Sequence, residues 1–163
     1  MKSSPQSKPY SPSKTLNTTP SLIDTSLWLA LAFAKHPAHL MARQILDEAD
    51  SARPVAFCRA TQQSFLRLVT TPSLHKLYDC PAVHNDQAWT KLGQLLALPQ
   101  VAYLEEPPGL ATHWQKYASL PSASPKVWMD AYLAAFARCH GITLITLDKD
   151  FKNFPGLSLR LLS

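Results

Sequence analysis

The chain has 163 residues, a mass of 18.1 kDa and a formal net charge of +5, which is enough for one domain with a real core and too little for two. Apolar residues make up 46% of it, yet no apolar run approaches the ~18 residues of a membrane span, and no apolar core of a secretory signal opens it. Lys2, Lys8 and Lys14 supply three positive charges before residue 20 with no acid beside them, so +5 less 3 leaves the remainder at only +2. Charge by itself therefore gives no strong nucleic-acid footprint. Cys58, Cys80 and Cys139 are widely spaced and form no Cys-x-x-Cys pair. This argues against both a disulfide framework and a zinc site, and for a reducing cytoplasm.

Residues 1–20 are rich in Ser, Pro, Lys and Thr and almost free of large apolar side chains. Such a segment is expected to be a disordered tail, since it cannot bury enough surface to offset its ordering entropy. The folded domain is expected to run over 21–163. Leu22 and Ile23 form a short buried strand that runs straight into Asp24. Helical periodicity follows over 26–33 and 37–49, broken at His36-Pro37. A second strand over 54–57 leads to a helix through Thr61, Phe65, Leu66 and Val69 that stops before Pro72. A helix over 86–98, a strand over 100–104 and a helix over 109–117 come next. Ser124-Pro125 opens a helix from Lys126 to about His140, with Gly141 after its end. The strand over 142–147 ends at Asp148, and 157–162 is a weaker edge strand. Strands alternating with helices predict β-α-β units and a largely parallel sheet covered on both faces. In such sheets the binding crevice lies beyond the carboxyl ends of the strands.

Two aspartates sit where that crevice is expected: Asp24 after the first strand and Asp148 after the fourth. Asp130 lies one turn into the helix leading to the fourth strand. Carboxylates brought together repel one another unless protonated or bridged by cations. Hard oxygen ligands of this kind suit Mg²⁺ or Mn²⁺, and the matching chemistry is metal-assisted hydrolysis of a phosphodiester. Each residue also has a plainer reading: Asp24 as a helix N-cap, Asp148 as a turn residue, Asp130 as an exposed helical acid.

Four stretches in order carry a resemblance that spacing cannot supply. They are Leu22-Ile-Asp-Thr-Ser-Leu-Trp-Leu-Ala-Leu, Cys58-Arg-Ala-Thr-Gln-Gln-Ser-Phe-Leu-Arg-Leu-Val-Thr-Thr-Pro72, Ser124-Pro-Lys-Val-Trp-Met-Asp-Ala-Tyr-Leu-Ala-Ala-Phe-Ala137 and Leu144-Ile-Thr-Leu-Asp-Lys-Asp-Phe151. The chain resembles the PIN-domain family, and within it the VapC-type ribonuclease toxins of type II toxin–antitoxin systems, over about 21–163. The resemblance implies a three-layer α/β/α sandwich on a mainly parallel five-stranded sheet of order 3-2-1-4-5. It also implies a Mg²⁺- or Mn²⁺-dependent endoribonuclease acting on RNA, a homodimer, and a small antitoxin protein as partner. Asp24, Asp130 and Asp148 match the family's acidic positions as catalytic and metal-binding residues.

One position departs. Many relatives place a glutamate where this chain has Gln62, which offers a carbonyl oxygen but no charge. Asp150 is a candidate to compensate as a fourth metal ligand; otherwise it starts a short helix around Phe151. Thr25, Ser26 and Thr146 are candidates to orient the carboxylates, with local capping as the alternative. Lys126 shares a helix face with Asp130 and either touches a substrate phosphate or pairs with the aspartate. Arg59 and Arg67 are candidate RNA or partner contacts. Trp28, Trp128, Phe65 and Phe136 either stack on bases or belong to a core or dimer seam. His36 and His39 read as exposed loop residues. The competing function is a PIN-fold module with impaired catalysis that binds RNA or an antitoxin, a reading that Gln62 favours.

Overall fold

Successive side chains of a strand point to opposite faces, so a strand that is apolar at every position is one covered on both sides. In the computed structural model, which describes residues 18–163, this is how the first strand is placed. In β1 (Ser21–Ile23), Leu22 enters one hydrophobic cluster and Ile23 the other. The neighbouring strand β4 (Thr143–Thr146) repeats the pattern in register, with Leu144 opposite Leu22 and Ile145 opposite Ile23. Strands β2 (Val55–Phe57), β3 (Val101–Tyr103) and β5 (Leu159–Leu161) complete a five-stranded sheet. Its order is β3-β2-β1-β4-β5 and every pairing is parallel. The expected order holds, and 157–162 is an edge strand as read.

Helices α1 (Thr25–Ala32), α2 (His39–Glu48), α3 (Arg59–Val69), α4 (Pro72–Leu77) and α5 (Asn85–Leu96) follow the first two strands. Residues of α1, α2, α3 and α5 build the core on the Ile23 side. Helices α6 (Leu110–Ala118) and α7 (Val127–His140) build the core on the Leu22 side, where Ala131, Ala134, Ala135 and Ala137 leave room for close approach. Gly141, at φ 65°, ends α7 in the left-handed conformation, and its N–H bonds back to the carbonyls of Ala137 and Arg138, the cap that glycine supplies without steric cost.

The expectation of a tail over 1–20 falls almost wholly outside the described residues. Of its last three positions, Thr19 already donates its backbone N–H to Ala52. The structure corrects the expectations for one helix and two histidines and decides between the alternatives for the aromatics. Helix α4 was unforeseen, because Pro72 is the first residue of a new helix as well as the end of the old one. Trp28, Phe65 and Phe136 are fully buried, with Trp28 stacked on Phe57 at 3.6 Å, so they are core residues and neither base-stacking groups nor dimer seam. Trp128, by contrast, is 58% exposed. His36 and His39 are partly buried and tied to local backbone at Ala38 and Ala30.

Candidate active site

Where a parallel strand ends and a helix begins, a short acceptor side chain caps the helix and stands at the sheet's carboxyl edge. Asp24 does this between β1 and α1. Its Oδ1 accepts the N–H of Thr25 at 2.6 Å, and its own N–H donates to the carbonyl of Ile145 in β4. Its Oδ2 accepts from Ser26 Oγ at 3.1 Å and from Thr146 Oγ1 at 2.9 Å. Thr146 in turn accepts the N–H of Asp148 at 3.0 Å. One buried hydroxyl therefore ties the ends of β1 and β4 together, holding the Asp24 carboxylate and the Asp148 backbone. Asp148 also caps the 3-10 helix Lys149–Asn153, its Oδ1 accepting the N–H of Asp150 at 2.9 Å.

The plain capping reading of Asp24 is thus correct, and Asp148, read as a turn residue, caps a 3-10 helix; both roles are compatible with a site. Burial raises the Asp24 carboxyl above its ordinary range despite three hydrogen bonds that oppose this, and the charge of Asp148 adds to the rise. Asp130 is pushed up to about 6, first by burial and then by the charges of Asp148, Asp24 and Asp150, with Lys126 opposing. Asp148 goes the other way: burial works against its charge, but the Asp150 N–H and the Lys126 ammonium outweigh it and hold the carboxyl below the usual range.

The structure thus brings Asp24, Asp130, Asp148 and Asp150 into one electrostatic neighbourhood from three separate segments. It does not arrange them into a finished cage: among the described residues, no three His, Cys, Asp or Glu side chains converge on a metal-sized point as they stand. Lys126 stands against two of the four carboxylates. Its ammonium lies 3.0 Å from Asp148 Oδ2 and 2.6 Å from Asp150 Oδ2, so in place of Asp130, one of the two alternatives for it, it pairs across to the 3-10 helix. The oxygen donor set suits a hard divalent cation, two of its members carry poorly compensated charge, and an ammonium already stands between the other two.

Not every candidate meets the carboxylates. Ser26 and Thr146 bond Asp24 directly, whereas Thr25 does so only through its backbone; its buried hydroxyl has no partner among the described residues. Gln62 is buried in α3, and its Oε1 accepts from Arg59 Nη1 at 2.7 Å. Arg59 also lies over the Tyr103 ring, 5.0 Å from its centroid. A cleft of about 740 Å³ opens there, on the β2–β3 side, lined by Arg59, Gln62, Trp89, Tyr103 and Glu105 among others. A second, of about 520 Å³, opens between α6, the start of α7 and the 3-10 helix, lined by Lys116, Lys126, Asp130, Asp150 and Phe154 among others. Trp89 and Lys116 had given no signal in the sequence, because neither lies at a strand end or near an acidic motif.

The model of the PIN domain matches residues 21–157. The chain belongs to the PIN-domain family. Ribonuclease VapC41 of Mycobacterium tuberculosis is 43% identical over 143 residues, covering 87% of this chain and 98% of the relative. Among solved structures, VapBC2 from Rickettsia felis, bound to a DNA fragment from its promoter, aligns with a TM-score of 0.63 at 17% identity, over 88% of this chain and 99% of that one. The sarcin-ricin loop cleaving toxin VapC20 of Mycobacterium tuberculosis aligns at 0.57 and 21% identity, over 85% and 98%. These two likenesses establish the shared fold of the PIN domain. The 43% relative places the chain among the VapC-type members.

Proposed function

We propose that this chain is a VapC-type toxin, an endoribonuclease that hydrolyses RNA phosphodiester bonds with a divalent cation held by Asp24, Asp130, Asp148 and Asp150. The observation that carries the reading is the Thr146 hydroxyl, which donates to the Asp24 carboxylate and accepts the Asp148 backbone N–H, joining the two aspartate-bearing segments at the carboxyl edge of the sheet. The ribonuclease relative supports the reaction class. A bound Mg²⁺ or Mn²⁺ would supply a hydroxide-like water and neutralise charge on the phosphate and leaving oxygen. The protein's part is positional and electrostatic. Thr146 and Ser26 orient the Asp24 carboxylate, burial leaves Asp24 and Asp130 in need of a cation, and Arg59 beside Tyr103 offers a cationic and aromatic contact for RNA entering the larger cleft.

The partners belong to the same proposal: RNA as substrate, a second copy of the chain as homodimer, and a small antitoxin protein, in keeping with the VapBC assemblies of the structural neighbours. A cytoplasmic setting follows from that role. Among the described residues no helix is long and apolar enough to cross a membrane.

The second reading, a catalytically impaired module that binds RNA or an antitoxin, draws on Gln62, whose amide oxygen is engaged by Arg59 and adds no negative charge. Incubating the pure protein with structured RNAs separates the two. The nuclease reading expects discrete cleavage in Mg²⁺ or Mn²⁺ that stops in excess chelator. The binding module expects retention of RNA or antitoxin with no cleavage in either metal.

A further inference from the structure

Lys126 sits at the N-cap of α7 with helical backbone angles (φ −67°, ψ −34°), so its stem leaves from a fixed point one turn before Asp130. Its side chain, 62% exposed, reaches out of its own helix to two carboxylates beyond β4. Both oxygens of Asp148 are thereby taken, Oδ1 by the Asp150 N–H and Oδ2 by the ammonium. Asp150 is held through Oδ2 by the same ammonium. Asp24 and Asp130, to which the ammonium makes no bond, are the two whose carboxyls are raised, Asp130 in spite of the opposing Lys126 charge. An ammonium is a compact single charge with three donors. It can quiet two carboxylates, but it cannot gather four or replace a divalent ion.

Resting on the nuclease reading above, we propose that Lys126 is a tethered counter-cation of the acidic centre: it holds Asp148 and Asp150 in the metal-free protein and is displaced from them when the divalent ion binds. This accounts for a site that is rich in carboxylates yet not closed on a metal-sized point. The side chain has somewhere to go, since the cleft of about 520 Å³ that it lines continues past Lys116, Asn153 and Phe154. Its high exposure keeps the desolvation change on moving small. Two consequences follow. The metal-free fold is protected from like-charge repulsion, and the metal competes with an internal cation, which weakens its apparent affinity.

The test is a calorimetric titration of the full chain with Mn²⁺ alone, alongside thermal melts without metal. Lys126→Met keeps the apolar stem and removes the charge; it is expected to bind Mn²⁺ at least about fivefold more tightly and to melt lower without metal. Lys126→Ala serves as a second uncharged variant if Met alters the cleft. Lys126→Arg, which keeps the charge, is expected to bind Mn²⁺ within about twofold of wild type. Lys116→Met removes a charge from the same cleft without touching these carboxylates and is expected to leave the affinity unchanged. Equal or weaker Mn²⁺ binding by both uncharged variants would overturn the displacement of Lys126 while leaving the metal site standing. An equal gain in Lys116→Met would reduce the effect to general charge and overturn it as well. Binding of Mn²⁺ by neither wild type nor any variant would overturn this proposal together with the metal-dependent nuclease reading.

Discussion

At the scale of single residues, the site works by leaving charge imperfectly compensated. Asp130 illustrates the consequence for stability. Its carboxyl lies at about 6 in the folded chain against an ordinary value of 3.8. Because the folded value is the higher, the folded state binds the proton more tightly. The stabilisation this gives is complete below about pH 4 and is lost as pH rises through about 6. Metal-free protein is therefore expected to lose stability across that window. Asp130→Asn removes the titrating group, so its melting temperature at pH 7 is expected to rise by a few degrees, after allowance for solvent screening at a half-exposed site. Its pH profile between 4 and 6 is expected to flatten. Melts of both proteins at pH 4, 5, 6 and 7 without metal check this; a variant that keeps the full wild-type slope contradicts the assigned cause.

At the scale of elements, capping carries much of the design. Asp24 and Asp148 cap the helices that follow β1 and β4, and the same geometry sets them side by side. The loop after Phe154 shows a different local constraint. Gly156 has φ +77°, and a Cβ there would lie 2.6 Å from Arg138 Nη1. That nitrogen cannot yield freely, because it donates to the Pro155 carbonyl at 2.6 Å and to the Tyr117 hydroxyl at 2.9 Å. Gly156→Ala is expected to cost about 1–2 kcal/mol from the backbone conformation alone, a fall of several degrees in melting temperature. An unchanged melt would show that the loop relaxes instead.

How much of this was legible in the sequence varies by element. Strands β1 and β4 were, because both are apolar on both faces and both stop at an aspartate. Helix α7 was, because Pro125 and Gly141 punctuate its ends. Helix α4 was not, because proline both terminates one helix and starts the next, and only the tertiary path distinguishes the two uses. The ion pairs of Lys126 were not, since helix periodicity pairs it with Asp130. The helix begins one residue later, at Val127, and the side chain is free to cross to Asp148. For Trp28 and Phe136 the sequence left core, dimer seam and base stacking open, because helical spacing identifies an apolar face but not whether sheet or solvent lies against it; their burial decides for the core.

At the scale of the whole molecule, the homodimer that the resemblance implies needs an exposed apolar surface. Trp28 and Phe136 are spent on the monomer core, so the apolar surface available for association lies elsewhere. Leu40, Leu77, Trp89 and Trp128 are each more than half exposed, which is more than large apolar side chains usually leave to water. Light scattering at high micromolar concentration is expected to give twice the chain mass; a monomer at that concentration contradicts the dimer.

The central claim is that a metal held by aspartates at the carboxyl edge of this sheet cleaves RNA. Asp24→Asn tests it most directly. Asn preserves shape and hydrogen-bonding size at the position fixed by Thr25, Ser26 and Thr146, but it removes the charge that would hold the cation. The decisive measurement is Mn²⁺-dependent cleavage of a structured RNA by wild type and Asp24→Asn side by side, with melts confirming that the variant is folded. The account predicts cleavage by wild type and a loss of at least about a hundredfold in the variant, whose metal-free melt is unchanged or slightly higher because a raised, buried carboxylate has been neutralised. Wild-type cleavage retained by a folded Asp24→Asn would contradict it.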